Sequence, residues 1–244
     1  MKSRNVTREA AAIGVGVVLV LQACALTPAR EAPARVLGAE ATLGEGTVSS
    51  YTELGAREAP SAIGLVFTAG ALRQLTTEPT DRHHCTDRNE DGKIDAHAEC
   101  FATHEYAITL PDAIARRGDI PFKWVLLNWN PGGHLPPGVY DTPHFDIHFY
   151  MDRIESVFAI EAGPCGPEFV RCDQFAAGRR PVPANYMHPD FKNVDAVAPA
   201  MGNHLIDPTS AEFNGKPFTR TWIYGSYDGR VTFYEEMVTL EYLK

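Results

Sequence analysis

The sequence predicts a mostly β protein, an antiparallel sandwich or barrel with short helices and long proline-rich loops. Short runs rich in Val, Ile, Phe, Tyr and Trp recur along the chain with strand-like alternation, and 20 glycines and 18 prolines punctuate them. No coiled-coil heptad or internal repeat competes with that pattern. With 44% hydrophobic residues in 244, there is material for one sizeable core. The formal charge of −9, with no uncompensated Lys/Arg cluster, argues against a nucleic-acid partner, because phosphate contacts need a basic face.

Residues 1–23 have the layout of a signal peptide: Lys2, Arg4 and Arg8 precede an apolar run from Ala10 to Leu21. That run is too short for a membrane-spanning helix, which needs about 20 residues. It ends in Leu21-Gln22-Ala23-Cys24, which resembles a bacterial lipobox with Cys24 as the lipidated residue. An ordinary secretory signal is the alternative, and both readings export the protein. The expected product is a lipoprotein facing the periplasm or the cell surface, its membrane contact made through a lipid anchor. Removing residues 1–23 takes away three basic groups and one acid, moving the charge from −9 to −11.

Residues 24–48 lack apolar periodicity and read as a flexible tether, leaving 49–244 as a single β-rich domain. Strands are expected at Ser50–Leu54, Ala62–Phe67, Tyr106–Leu110, Phe122–Trp129, Phe145–Met151, Ser156–Ile160, Thr219–Tyr224 and Arg230–Leu240. Gly70–Leu75 is read as one or two helical turns, Pro111–Arg117 as the best helix candidate, and 163–200 as a long functional loop or lid. Asn214-Gly215 and Asp228-Gly229 are turns between strands.

Beyond Cys24 the chain has Cys85, Cys100, Cys165 and Cys172, an even number in an oxidising compartment, hence two disulfides. Proximity favours Cys85 with Cys100 and Cys165 with Cys172. A four-thiolate zinc site is the rival. Inside the first interval, Asp87, Asn89, Asp91 and Gly92 occupy the order of an EF-hand loop, with Lys93 offering its carbonyl and Asp95 following. Ala98 stands where a bidentate Glu belongs, and Glu99 comes one residue later. The expected inserted loop, 85–100, therefore holds structural calcium through Asp87, Asn89, Asp91, Lys93, Asp95 and Glu99, or else is a solvated acidic turn.

Residues 128–152 carry His134, His144 and His148, and a strand there sets His144, Asp146 and His148 on one face with Phe145, Ile147 and Phe149 on the other. Imidazole and carboxylate ligate zinc and other divalent transition metals. Residues i and i+4 lie about 13 Å apart along a strand, so His144 and His148 share an ion only if the strand bends or Asp146 bridges them. His204, in GNHLID, is a fourth candidate ligand. His83, His84, His97, His104 and His188 read as loop residues.

The runs NWNPGGHLPPGVYDTPHFDIHFY (128–150), MGNHLID (201–207) and FNGKPFTRTWIYGSYDGRVTFYEEMVT (213–239) resemble the signature of a bacterial family of unknown function, first seen structurally in a Thermus protein and loosely labelled a hydrolase. The resemblance spans roughly 46–240. It implies a compact, mostly β domain marked at His134, His144, Asp146, His148, His204 and Glu235. This chain departs from the family in having Glu236 where proline is more usual, and in carrying the calcium-like insertion.

Three functions fit these residues. In the first, the histidines hold an ion or an unidentified small molecule without turnover. In the second, a His-held metal activates water for hydrolysis, with Glu235 or Asp146 as general base. In the third, the domain is a structural or assembly module, self-association included. No G-x-S-x-G elbow, H-E-x-x-H helix or phosphate-cradling loop is present, which places binding slightly ahead of catalysis.

Overall fold

Alternation of apolar and polar residues builds two antiparallel sheets in the computed structural model, which describes residues 34–244. The expected signal segment, Cys24 and the start of the expected tether lie outside the described residues. The smaller sheet is β1 (Ala34–Leu43), β2 (Gly46–Leu54) and β3 (Pro60–Phe67), in that order. The larger sheet is formed by β4 (His104–Thr109), β5 (Trp124–Asn130), β6 (His144–Tyr150), β8 (Lys192–Ala198), β9 (Gly202–Ile206), β10 (Arg220–Tyr227) and β11 (Arg230–Thr239). Its order is β4-β5-β6-β11-β10-β9-β8, and the short β7 (Ala162–Cys165) stands apart as one arm of a small hairpin.

The sheets pack as a sandwich. Leu43 and Val48 of the smaller sheet share a buried cluster with Leu127, Trp129, Phe145 and Val238 of the larger one. Leu54, Ile63 and Leu65 close on Val125, Ile147 and Phe149 in a second cluster. One face of the large sheet is thus consumed by the core. Residues of opposite parity on the same strands, including His144, Asp146 and His148, face away from it, as the period of two requires.

Four expectations are corrected. The tether does not run to residue 48, because Ala34–Leu43 pairs along β2 and Ala39 and Ala41 pack against the core; small side chains hid this strand's alternation. Ser156–Ile160 is not a strand. Ile154, Val157 and Ile160 recur every three residues, and this spacing turns one face of a helix, α2 (Ile154–Phe158), inward. The 163–200 segment is not a structureless loop: it contains α3 (Cys172–Gly178) and the edge strand β8, which meet where Gly178 leaves room for Val197. Gly70–Leu75 forms turns closed by Ala71 N to Thr68 O and Arg73 N to Gly70 O bonds, without a helix.

The helix expected at Pro111–Arg117 forms over Asp112–Ala115, with Pro111 capping it. Cys85–Cys100 and Cys165–Cys172 are the disulfides, so the four-thiolate zinc alternative is excluded. Among the described residues no helix is long and apolar enough to cross a membrane.

Candidate metal centre

The exposed-parity face of the large sheet gathers the four histidines into two triads. His134, His144 and Asp146 form one; His148, His204 and Glu235 form the other; the ligand atoms within each lie within 4.8 Å of one another. Strand register explains the grouping. His148 on β6 sits directly opposite Glu235 on β11, while Asp146 is opposite Met237. His144 and His148 therefore do not converge on one ion, because each finds its own carboxylate.

His134 and His204 reach the site from outside β6 and β11. His134 follows the turn after β5, where its amide bonds to the Tyr140 carbonyl. Gly133 makes that turn possible: its φ is +74°, and a Cβ there would lie 2.0 Å from Tyr140 O. His204 lies on β9, two strands from Glu235, a lateral distance of about 9.6 Å. Gly225 on β10 lies between them, opposite both His204 and Phe233. Without a side chain at 225 the Phe233 ring fills that space, 5.1 Å from the His148 ring and 5.2 Å from the His204 ring.

Each imidazole is oriented by its own backbone partner. His134 Nδ1 bonds to Leu135 O at 2.7 Å, His144 Nδ1 to Thr142 O at 2.6 Å, His148 Nδ1 to Leu126 O at 3.3 Å and His204 Nδ1 to Ala196 O at 3.0 Å. A carbonyl only accepts, so all four Nδ1 atoms carry protons and all four Nε2 atoms point at carboxylates. The Nε2 separations are 3.2 Å (His134) and 3.1 Å (His144) to Asp146, and 3.6 Å (His148) and 3.6 Å (His204) to Glu235. Ligands at about 2.0–2.1 Å from a tetrahedral zinc stand about 3.3 Å apart, which matches these distances. Among the described residues, His144 Nε2, Asp146 Oδ1, His148 Nε2 and Glu235 Oε2 are buried without hydrogen-bond partners. A buried polar atom left unpaired costs about 1–3 kcal/mol, so four together need an occupant.

The triads differ in charge. Burial opposes ionisation of Asp146, but the adjoining His144 and His134 rings outweigh it and hold the carboxyl well below its usual range. Burial likewise opposes the His134 cation, and the Asp146 charge and hydrogen bond overcome it, raising His134 to about 9. In the second triad burial dominates. It lowers His148 to about 3, helped by His204, lowers His204 to about 4, and raises Glu235 well above the carboxylate range, with Asp146's charge adding. Without a metal the first triad is an ion pair, and the second holds a neutral acid between neutral rings.

Both triads open on a cavity of about 360 Å³ whose walls include Leu135, Pro136, Tyr140, Val194, Ile206 and Met237. That volume suits a small molecule, and the polar groups are few and convergent. Sequence reasoning missed several contributors. Asn130 donates to Asp146 Oδ2 at 2.7 Å, Gly225 clears space for Phe233, and Glu168 lines the cavity from the Cys165–Cys172 hairpin. Asp146 and Glu235, expected as general bases, are each held between two imidazoles. His83 and His84, expected as loop residues, lie beside Asp81 and Glu105.

In the acidic loop, Asp87 accepts from the amides of Asp91 and Gly92, and Asp91 from that of Lys93. Glu99 accepts from the amides of Arg88, Asn89 and Asp95, so both of its oxygens cap backbone. The chain thus has His, Asp and Glu groups that could hold metal ions, and two disulfides. No family model matches it, and no curated protein or solved structure is significantly similar to it.

Proposed function

We propose that this chain is an exported metal-binding domain that takes a divalent first-row ion in each triad and captures a small, largely apolar molecule through a polar group that completes the coordination. One observation carries the reading: four imidazole Nε2 atoms, their rings fixed by backbone carbonyls at Nδ1, face two buried carboxylates beside one apolar cavity. Two-histidine, one-carboxylate sets leave coordination positions open in zinc and non-haem iron sites. Asp146 contacts only His134 and His144, and Glu235 only His148 and His204, so neither carboxylate bridges the two sets as in a two-metal clamp. The ions are therefore two mononuclear centres sharing one cavity. Export and a lipid at Cys24 are supported by the amino-terminal sequence and by the disulfides, which suit an oxidising compartment.

Metal analysis of the purified full chain tests this reading. At least two transition-metal ions per chain in the wild type, falling by about one in a folded His148→Ala/His204→Ala variant, is the expected result; equal and negligible metal in both refutes it.

Hydrolysis at the same metals is a second reading, favoured by Glu168. Its carboxyl lines the cavity outside both triads, and burial raises its pKa, with His134 opposing, as a general base working near neutrality requires. The family resemblance marks the same histidines and points the same way. An ester, lactone and phosphate-ester panel on metal-loaded protein, with Glu168→Gln as the comparison, distinguishes turnover from binding. A structural calcium ion in the acidic loop also belongs to this proposal, with Glu99 as a backbone cap behind it. Its test is a calcium-dependent rise in melting temperature.

A further inference from the structure

Outside the cavity, a third set of ligand-type side chains converges where the loop before the Cys85–Cys100 disulfide meets β4. Asp81, His83 and Glu105 have ligand atoms within 4.8 Å of one another. His83 Nδ1 is 3.2 Å from Asp81 Oδ2 and 3.9 Å from Glu105 Oε2, and His84 Nε2 reaches the same Glu105 oxygen at 2.8 Å. We infer that Asp81, His83 and Glu105 form a separate site for a divalent ion of the zinc or copper class, with His84 bonded to Glu105 behind it.

The separations bracket the roughly 3.3 Å expected between ligands of a tetrahedral zinc. One imidazole and two carboxylates converge, and the imidazole suits zinc or copper better than calcium or magnesium. The frame exists before any ion arrives. The Asp81 amide bonds to Thr103 O, Asp81 Oδ1 accepts the His83 amide, and Asp81 Oδ2 accepts the Glu105 amide. The Cys85–Cys100 bridge then pins the chain one residue beyond His84.

A second observation points to a ligand. The Glu105 side chain is only 5% exposed, and its Oε1 is buried with no partner among the described residues. A buried carboxylate oxygen left bare is costly; the histidines face Oε2, and a cation gripped by both Glu105 oxygens relieves Oε1 as well. His83 is 63% exposed, so an ion reaches this site from solvent. None of the four residues lines the cavity, so this site is spatially separate from the triads.

Zinc and copper titration of the full oxidised chain tests the inference. In a His83→Ala/His84→Ala variant, checked for folding by circular dichroism, one zinc equivalent is lost or weakened at least tenfold. In His148→Ala/His204→Ala this site keeps its affinity. Copper bound there shows imidazole nitrogen couplings by electron paramagnetic resonance that diminish in the exposed single variant His83→Ala, which keeps the test open if the double variant misfolds. Unchanged stoichiometry and affinity in the folded His83→Ala/His84→Ala variant, or unchanged couplings in His83→Ala, overturn the inference. Loss of metal in that double variant but not in the triad variants supports this site and refutes the cavity reading instead.

Discussion

If the triads load metal as proposed, loading displaces protons, and the count follows from which groups hold them beforehand. In the metal-free triads the Nε2 atoms lie 3.1–3.6 Å from carboxylate oxygens, and His134 Nε2 to Asp146 Oδ2, at 3.2 Å, is the contact that forms a hydrogen bond and so carries a proton. The first triad keeps its proton on His134, raised to about 9, and the second on Glu235, raised well above the carboxylate range. Zinc needs deprotonated ligands, so at pH 7 each triad gives up one proton on loading, about two per chain. Deprotonating His134 two units below its pKa costs about 2.7 kcal/mol, so the first triad binds about 100-fold below its intrinsic affinity at pH 7. That affinity rises about tenfold per pH unit up to about 9 and then levels off. Calorimetric zinc titrations in buffers of different ionisation enthalpy read the proton count directly. Buffer-independent heats, or an affinity that stays flat between pH 7 and 8, refute this placement of the protons.

Three further outcomes are expected. Each loaded triad gains one net positive charge, and two unit charges about 6–7 Å apart at an effective dielectric of about 20 repel by about 2.5 kcal/mol, so filling one triad weakens zinc binding at the other by about 70-fold relative to that triad alone. Competition titration against a chromophoric chelator separates the two steps, and an affinity that filling the other triad leaves unchanged places the centres farther apart. Gly225→Ala drives a methyl group to 2.1 Å from the Phe233 ring, so stability falls by about 1–3 kcal/mol in thermal unfolding and the His148–His204 triad loses metal affinity; an unchanged melting temperature removes Gly225 from the design. Opening the Cys85–Cys100 bridge with Cys85→Ser/Cys100→Ser releases a 15-residue interval and costs about 3 kcal/mol, measured by denaturant unfolding; a cost near zero means that the loop is held by its hydrogen bonds alone.

Sandwich architecture was legible because its signals are local. The strongly alternating run from Phe145 to Tyr150 and the apolar run through Trp124 to Trp129 both became central strands. The errors arose where composition and period parted. β1 carries Ala, Gly and Thr where a stronger strand has Val or Ile, so its pairing with β2 decides its state more than its own preference does. Ser156–Ile160 is apolar enough for a strand, but Val157 and Ile160 are three residues apart and both buried, which only a helical turn satisfies. The 163–200 segment looked like a loop because its prolines and glycines punctuate elements too short to be seen alone.

The ligands of the site were legible and their grouping was not. Alternation through His144, Asp146 and His148 identified the face, and the 13 Å limit for i and i+4 already argued against one shared ion. The partner of each histidine depends on register between β6 and β11, segments more than 80 residues apart, and no local pattern encodes that pairing. Gly225 was hidden for the same reason: a glycine in a strand matters only through what crosses it, here Phe233 between His148 and His204. Register also puts Glu105, Asn128 and Asp146 in one row across β4, β5 and β6, and each keeps a buried oxygen without a partner among the described residues. That row runs from the outer Asp81–His83–His84–Glu105 cluster to the first triad, so a charge bound at the outer cluster is felt by Asp146 across two strand spacings, about 9.6 Å. The polar row is therefore where coupling between the outer cluster and the cavity is to be sought, and Asn128→Leu, which removes its middle member, is the variant that separates them.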